Sequence, residues 1–265
     1  MQEHIFEDRI YYRTNEFKPE RLTLVFSHGV SGSSSAWIPY EKIFENKYNL
    51  VFYDIRGHGK SKKYSDYSDY EIKKFADDLH DLISSLKIKK FILISNSFAA
   101  LIALEYIKLW RSTIIANIFT SPAVYMHEGP LAKVARSVLK LARIFPFHSA
   151  PRGHVDYQNH QNTSDWDIKR NLADMRNTTL RVHFNVLRRS FNPIEYDLEE
   201  INVPTLVIHG ETDSMVPMKN SKRMCAKIKN CEFVSLPNVN HNSVHNAVEE
   251  MSEAIENFIE KNVLK

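Results

Sequence analysis

The chain has 265 residues, 43% of them hydrophobic and 25% charged, which suits one large globular domain and argues against a disordered or low-complexity protein. A formal net charge of +3, with no basic patch interleaved with aromatics outside one helix, argues against nucleic acid as a partner. Residues 1–17 show no apolar signal core and no apolar run is uninterrupted enough to be a span, so the expectation is a cytoplasmic protein without an integral membrane segment.

Residues 9–14 and 22–27 are β-type runs separated by Asn15 and Pro19, and they predict an antiparallel opening to a sheet. Helix and strand then alternate: helix 36–46, strand 49–54, helix 69–87, strand 90–95, helix 98–110 and strand 114–120. This order predicts an α/β fold with a parallel sheet covered on both faces. Ser68-Asp69-Tyr70-Glu71 fits a capping box, and Ile72, Phe75, Leu79, Leu82, Ile83 and Leu86 form one apolar stripe behind it.

After Ser121-Pro122 the chain turns helical and charge-rich without a convincing strand until about residue 198, which reads as an inserted helical cap. Within it Leu131, Val134, Val138, Leu141 and Phe145 are expected to face inward. Lys133, Arg136, Lys140 and Arg143 lie on the opposite face, expected to be solvated, with docking on an anionic surface as the alternative. Tyr125, Trp166, Phe184 and Phe191 are expected to pack the cap's own core or line an apolar pocket. Arg188 and Arg189 are expected at the surface, with receipt of a substrate carboxylate as the alternative. Strand 204–209, helix 218–229, strand 232–236 and a closing helix 243–262 then resume the core. The division is therefore core 1–121, cap 122–198 and core 199–265. Cys225 and Cys231 have no zinc-ligand neighbours and read as two unpaired thiols; no metal or organic cofactor is implied.

Ligands of open α/β sheets bind beyond the carboxyl ends of the strands, so the loops there carry the candidates. Phe91 to Leu104 is an apolar run that breaks at Ser95-Asn96-Ser97 and resumes with helical spacing, a strand, sharp turn and helix. Ser97 at that turn is a candidate nucleophile, with the Phe98 N–H beside it as an anion-stabilising donor. His28-Gly29-Val30-Ser31-Gly32-Ser33 is a flexible loop whose Val30 N–H can help hold an oxyanion. In Asp54-Ile55-Arg56-Gly57-His58-Gly59-Lys60-Ser61, Asp54 and Arg56 are expected to pair and His58 to be a loop residue. Asp213 is preferred to Glu211 as the carboxylate that orients a histidine, although spacing hardly separates them. That histidine is His241, whereas His245, one turn later, is expected on the helix surface.

The chain order Ser97, Asp213, His241 and the five ordered segments resemble the α/β-hydrolase superfamily over nearly the whole chain. The resemblance implies Ser97 as nucleophile, His241 as base and acid, Asp213 as its orienting carboxylate, and the Val30 and Phe98 N–H groups as oxyanion hole. Family members usually carry glycine where this chain has Ser95 and Ala99, so the turn is atypical here. Serine rather than aspartate at 97 argues against epoxide hydrolases and dehalogenases. The expected activity is hydrolysis of a small carboxylic ester, thioester or lactone. A hydrolase-like small-molecule receptor, or a carbon–carbon bond hydrolase or lyase, is the alternative.

Overall fold

The computed structural model describes residues 1–129, 131–192 and 195–264. Pro130, Pro193 and Ile194 of the expected cap, and Lys265 of the second core part, lie outside the described residues. The strands are β1 (Gln2–Phe6), β2 (Ile10–Thr14), β3 (Thr23–Ser27), β4 (Asn49–Tyr53), β5 (Phe91–Asn96), β6 (Ile114–Thr120), β7 (Thr205–Gly210) and β8 (Cys231–Leu236). They form one sheet in the order β1-β2-β4-β3-β5-β6-β7-β8. β1, β2 and β4 pair antiparallel, and from β4 through β3 to β8 every pairing is parallel.

Two details differ from the expected opening. β1 is exposed and polar, so hydrophobic patterning gives no sign of it. β2 pairs with β1 and β4 rather than with β3, which instead enters the parallel part of the sheet. Because β3 has β4 on one side and β5 on the other, successive connections run in opposite directions from it. That switch opens a crevice at the carboxyl ends of β3 and β5.

The helices are α1 (Ile38–Phe44), α2 (Ile72–Ser85), α3 (Ala99–Trp110), α4 (Ala132–Leu139), α5 (Ile168–Thr178), α6 (Leu180–Ser190), α7 (Met218–Lys227), α8 (Ser243–Asn246) and α9 (Val248–Asn262). Strand residues alternate between two cores. Val25, Val51 and Leu93 pack with Phe75 and Leu79 of α2 and with α3, whereas Leu24, Phe26 and Ile94 pack with Phe44 of α1 and Ile255 of α9. Burying each such side chain is worth about 1.5–3 kcal/mol relative to exposure, so both sheet faces must be covered.

The stripe of α2 is buried from Ile72 to Ile83, but the capping box does not form. Tyr70 is buried and its hydroxyl donates to the Tyr64 carbonyl (2.8 Å) and accepts from the Tyr64 N–H (2.9 Å). The Asp69 carbonyl accepts from Arg56 at 2.9 Å, so these tertiary bonds hold Tyr67–Tyr70 as a 3₁₀ turn and the helix starts at Ile72. The closing helix is likewise two helices, interrupted at Ala247 (φ −140°, ψ 51°).

Between β6 and β7 the described residues contain α4, α5, α6 and 3₁₀ turns, and no strand. The inward orientation expected for α4 is overturned. Leu131, Val134, Val138 and Leu141 are 73%, 57%, 56% and 51% exposed, and the residues that face the protein are Ala132 and Ala142. Small side chains permit closer approach than the leucines, so the helix seats on its alanine side. Cys225 and Cys231 are a disulfide with Cα atoms 5.4 Å apart, not free thiols, because the end of α7 returns beside the start of β8. No helix among the described residues is long and apolar enough to cross a membrane.

Candidate active site

β5 ends at Asn96, and Ser97 follows with φ +52°, a left-handed conformation that a non-glycine residue adopts at a cost. It is held there because its N–H donates to the Thr120 carbonyl (2.9 Å) and its carbonyl accepts from the Ala100 and Ala123 N–H groups (both 3.1 Å). Ser95 and Ala99 are completely buried, so small residues serve the crowded turn where glycine is usual. Gly29 explains why the β3 loop approaches so closely: a Cβ there would lie 2.9 Å from Asn96 Oδ1 and 3.1 Å from Ser97 Cβ. Gly210 does the same at the other side, where a Cβ would clash with the Val239 carbonyl and push the loops after β7 and β8 apart.

Those two loops bring Asp213 and His241 to Ser97. The Ser97 hydroxyl donates to His241 Nε2 at 3.0 Å, and His241 Nδ1–H donates to Asp213 Oδ2 at 2.8 Å. The other oxygen of Asp213 accepts the Met215 and Val216 N–H groups at 2.9 and 2.8 Å. Burial opposes ionisation of Asp213, yet the bonds from His241 and the Val216 N–H hold its carboxyl below the ordinary aspartate value. Glu211, the rival carboxylate, turns away to accept from the Ser235 hydroxyl at 3.0 Å. The N–H groups of Val30 and Phe98 meet no acceptor among the described residues, and both residues line the same cavity as Ser97 and His241.

The Asp54 loop is organised differently from the sequence expectation. Arg56 pairs with Asp78 (2.7 and 2.8 Å), not with Asp54. Asp54 accepts instead from the Ser34 N–H (2.7 Å), the Lys60 N–H (2.8 Å) and His154 Nε2 (2.7 Å), which fixes the glycine loop at both ends. His58 is fully buried with Nδ1 on the Arg56 carbonyl (3.0 Å) and does not line the cavity.

Asp165 was not legible in the sequence. It sits 3% exposed before α5, and its Oδ1 accepts the His241 backbone N–H at 2.8 Å. Its Oδ2 accepts both the N–H and the hydroxyl of Ser214 at 2.8 Å. One carboxylate therefore ties the loop bearing His241 to the loop bearing Asp213. Asp165→Ala is expected to lower kcat by about 10–10² with a smaller change in KM, since misplacement by an ångström costs that much. Asp165→Asn, which keeps one acceptor, should recover part of the loss. Equal kcat for Asp165→Ala and the parent protein would show that the two loops hold their positions without it.

The cavity measures about 410 Å³, with apolar walls that include Trp37, Met126, Trp166, Met175, Leu187 and Phe191. Tyr125 and Phe184 are not among its walls: Tyr125 lies under the Arg223 guanidinium and Phe184 packs on Phe145. A buried polar cluster closes one side, where the Tyr157 hydroxyl donates to Asp174 (2.7 Å) and Arg170 pairs with the other Asp174 oxygen (3.3 Å). Burial raises the Asp174 carboxyl to about 6 against these partners. His245 is not on the helix surface but lines the cavity, stacked on Tyr157 at 4.8 Å, and burial drives its pKa down to about 3. Arg188 and Arg189 lie outside this cavity, both stacked on Tyr67.

A mostly parallel eight-stranded sheet between helices, with a left-handed serine after β5, is the architecture of the α/β hydrolases. The chain belongs to that superfamily and, within it, to the family described as serine aminopeptidase, S33, whose model matches residues 18–247. A RutD protein of Pseudomonas syringae pv. syringae (strain B728a), provisionally assigned as a carbamate hydrolase, is 28% identical over 237 residues, or 83% of this chain and 87% of that protein. A thermophilic esterase from Thermogutta terrifontis superposes with a TM-score of 0.75 at 18% identity, covering 95% of this chain and 94% of its own. The enol-lactonase from Burkholderia xenovorans LB400 gives a TM-score of 0.70 at 18% identity, with 95% and 96% covered. At these identities the structural matches speak for the fold, and the family places the chain among hydrolases.

Proposed function

We propose that the protein is a serine hydrolase that cleaves small carboxylic esters through an acyl-enzyme on Ser97. The observation that carries this reading is the continuous hydrogen-bond chain Asp213–His241–Ser97, with links of 2.8 and 3.0 Å, opening into a cavity beside two unpaired N–H groups. Ser97 Oγ attacks the carbonyl carbon while His241 Nε2 takes its proton, and the proton passes to the departing alkoxide as the ester C–O bond breaks. Water, deprotonated by the same imidazole, then attacks the acyl carbon and releases the acid and Ser97. Asp213 holds the Nδ1–H tautomer and stabilises the imidazolium in each half. In this reading the Val30 and Phe98 N–H groups serve as donors to the oxygen that becomes negative; removing one donor of this kind costs about 10²–10³ in kcat.

The segment 122–198 acts in this reading as a cap that roofs the cavity, since Met126, Trp166, Met175, Leu187 and Phe191 all come from it. A volume of about 410 Å³ with mainly apolar walls favours a short or medium acyl or aryl group over a bulky polymer. Steady-state assays with p-nitrophenyl esters from acetyl to decanoyl are expected to give multiple turnover with an optimum at short to medium chains. Carbamates and lactones belong in the same panel because one relative and one structural neighbour carry those names. Ligand binding without turnover on any carbonyl substrate would instead support a receptor.

A further inference from the structure

The segment between β6 and β7 carries a second cavity, of about 340 Å³, that does not hold Ser97. It lies between Lys140 and Arg143 of the 3₁₀ turn Lys140–Ile144, Arg181 and Arg188 of α6, and the loop Ser65, Asp66 and Tyr67. Among the described residues none of these four cations has a carboxylate within ion-pair distance. Asp66 is the one carboxylate in the lining among the described residues, and it accepts from the Ser65 hydroxyl at 3.1 Å. Arg181 Nε donates to the Ser65 carbonyl at 3.1 Å. The Arg188 guanidinium stacks on Tyr67 at 3.9 Å, while its buried Nε meets no partner among the described residues. Four like charges around one concavity repel each other, and guanidinium forks match the oxygens of a phosphate.

The same turn and α4 expose a ridge that water does not favour. Leu131, Val134, Val138, Leu141 and Ile144 are between 51% and 73% exposed. From residue 131 to residue 154 the sequence holds Lys133, Arg136, Lys140, Arg143 and Arg152 and no acidic residue. An exposed aliphatic ridge with cations along the other side of the same helix and turn fits an amphipathic segment lying at the boundary of an anionic bilayer, where the aliphatic chains enter the headgroup layer and the cations meet lipid phosphates. A free phosphate would leave the aliphatic ridge unused.

We propose that α4, the turn after it and α6 dock on an anionic phospholipid surface, with a lipid phosphate in the cavity of Lys140, Arg143, Arg181 and Arg188. α6 links the two cavities, since His183, Leu187 and Ser190 line the Ser97 cavity and Arg181, Asn185 and Arg188 the cationic one. Docking therefore sets the roof of the Ser97 cavity at the lipid boundary. The inference is independent of the chemistry proposed for Ser97, because binding is read without turnover.

The test is flotation of the full chain with vesicles of phosphatidylcholine alone or mixed with phosphatidylglycerol. The parent protein is expected to float with phosphatidylglycerol vesicles, less so at raised salt, and not with phosphatidylcholine. K140E with R143E, and separately V138S with L141S, should each weaken binding at least about tenfold. Both pairs replace exposed side chains, and reversing two of the four clustered cations relieves repulsion, so neither double variant should melt below the parent, which separates lost docking from lost folding. Failure to float with phosphatidylglycerol vesicles, or equal binding by both double variants and the parent, would overturn the proposal. Stabilisation of the parent, but not of K140E with R143E, by inorganic phosphate without vesicle binding would assign the cavity to a soluble anion and overturn the lipid.

Discussion

Ser97→Ala is expected to lower kcat on a p-nitrophenyl ester by about 10⁴-fold or more while leaving the fold intact, because the variant has no atom to form the acyl bond. Its structural cost is small. Among the described residues the hydroxyl's hydrogen-bond partner is His241, and the backbone bonds that hold the left-handed turn, to the Thr120 carbonyl and from Ala100 and Ala123, are untouched. The residual rate would come from the Val30 and Phe98 donors acting on a bound substrate. Matching melting curves with turnover reduced to background are the expected pair of results; near-parental turnover in the variant would place the nucleophile elsewhere.

Asp213→Asn is expected to cost about 10⁴ in kcat, with KM little changed. The carboxylate accepts His241 Nδ1–H on one oxygen and two backbone N–H groups on the other, so it uses both as acceptors. An asparagine must present its NH₂ to one side. If that side is His241, the imidazole is forced into the tautomer that carries the proton on Nε2 and cannot receive the serine proton. The substitution also changes stability in a defined direction. The folded carboxyl of Asp213 is held below its ordinary value, so its contribution is present above the unfolded pKa and is lost as pH falls through the folded one. The stability advantage of the parent over Asp213→Asn, measured by denaturant unfolding, should therefore be full at neutral pH and shrink in acid. An advantage that grew in acid would contradict this reading of the carboxylate.

The parallel part of the sheet was legible because its strands are buried on both faces and read as continuous apolar runs, as in Phe91–Asn96 and Ile114–Thr120. The loops after β3, β5, β7 and β8 were legible because small or acidic residues interrupt those runs at the strand ends. What escaped reading depends on partners far away in the chain. β1 has no apolar face, and the start of α2 is decided by bonds from Tyr64 and Arg56, not by local capping residues. An amphipathic pattern looks the same whether its apolar stripe is buried or exposed, so the pattern alone does not orient α4. Asp165 gave no local sign because its role comes entirely from meeting Ser214 and His241, which only the folded chain brings near. The disulfide likewise depends on where α7 ends relative to β8.

The most direct test of the account is intact-mass spectrometry after incubation with a fluorophosphonate, followed by peptide mapping. One phosphonyl adduct per chain is expected, located on Ser97, absent from Ser97→Ala and formed more slowly in Asp213→Asn. No adduct on the parent protein, or an adduct that persists in Ser97→Ala, would contradict it.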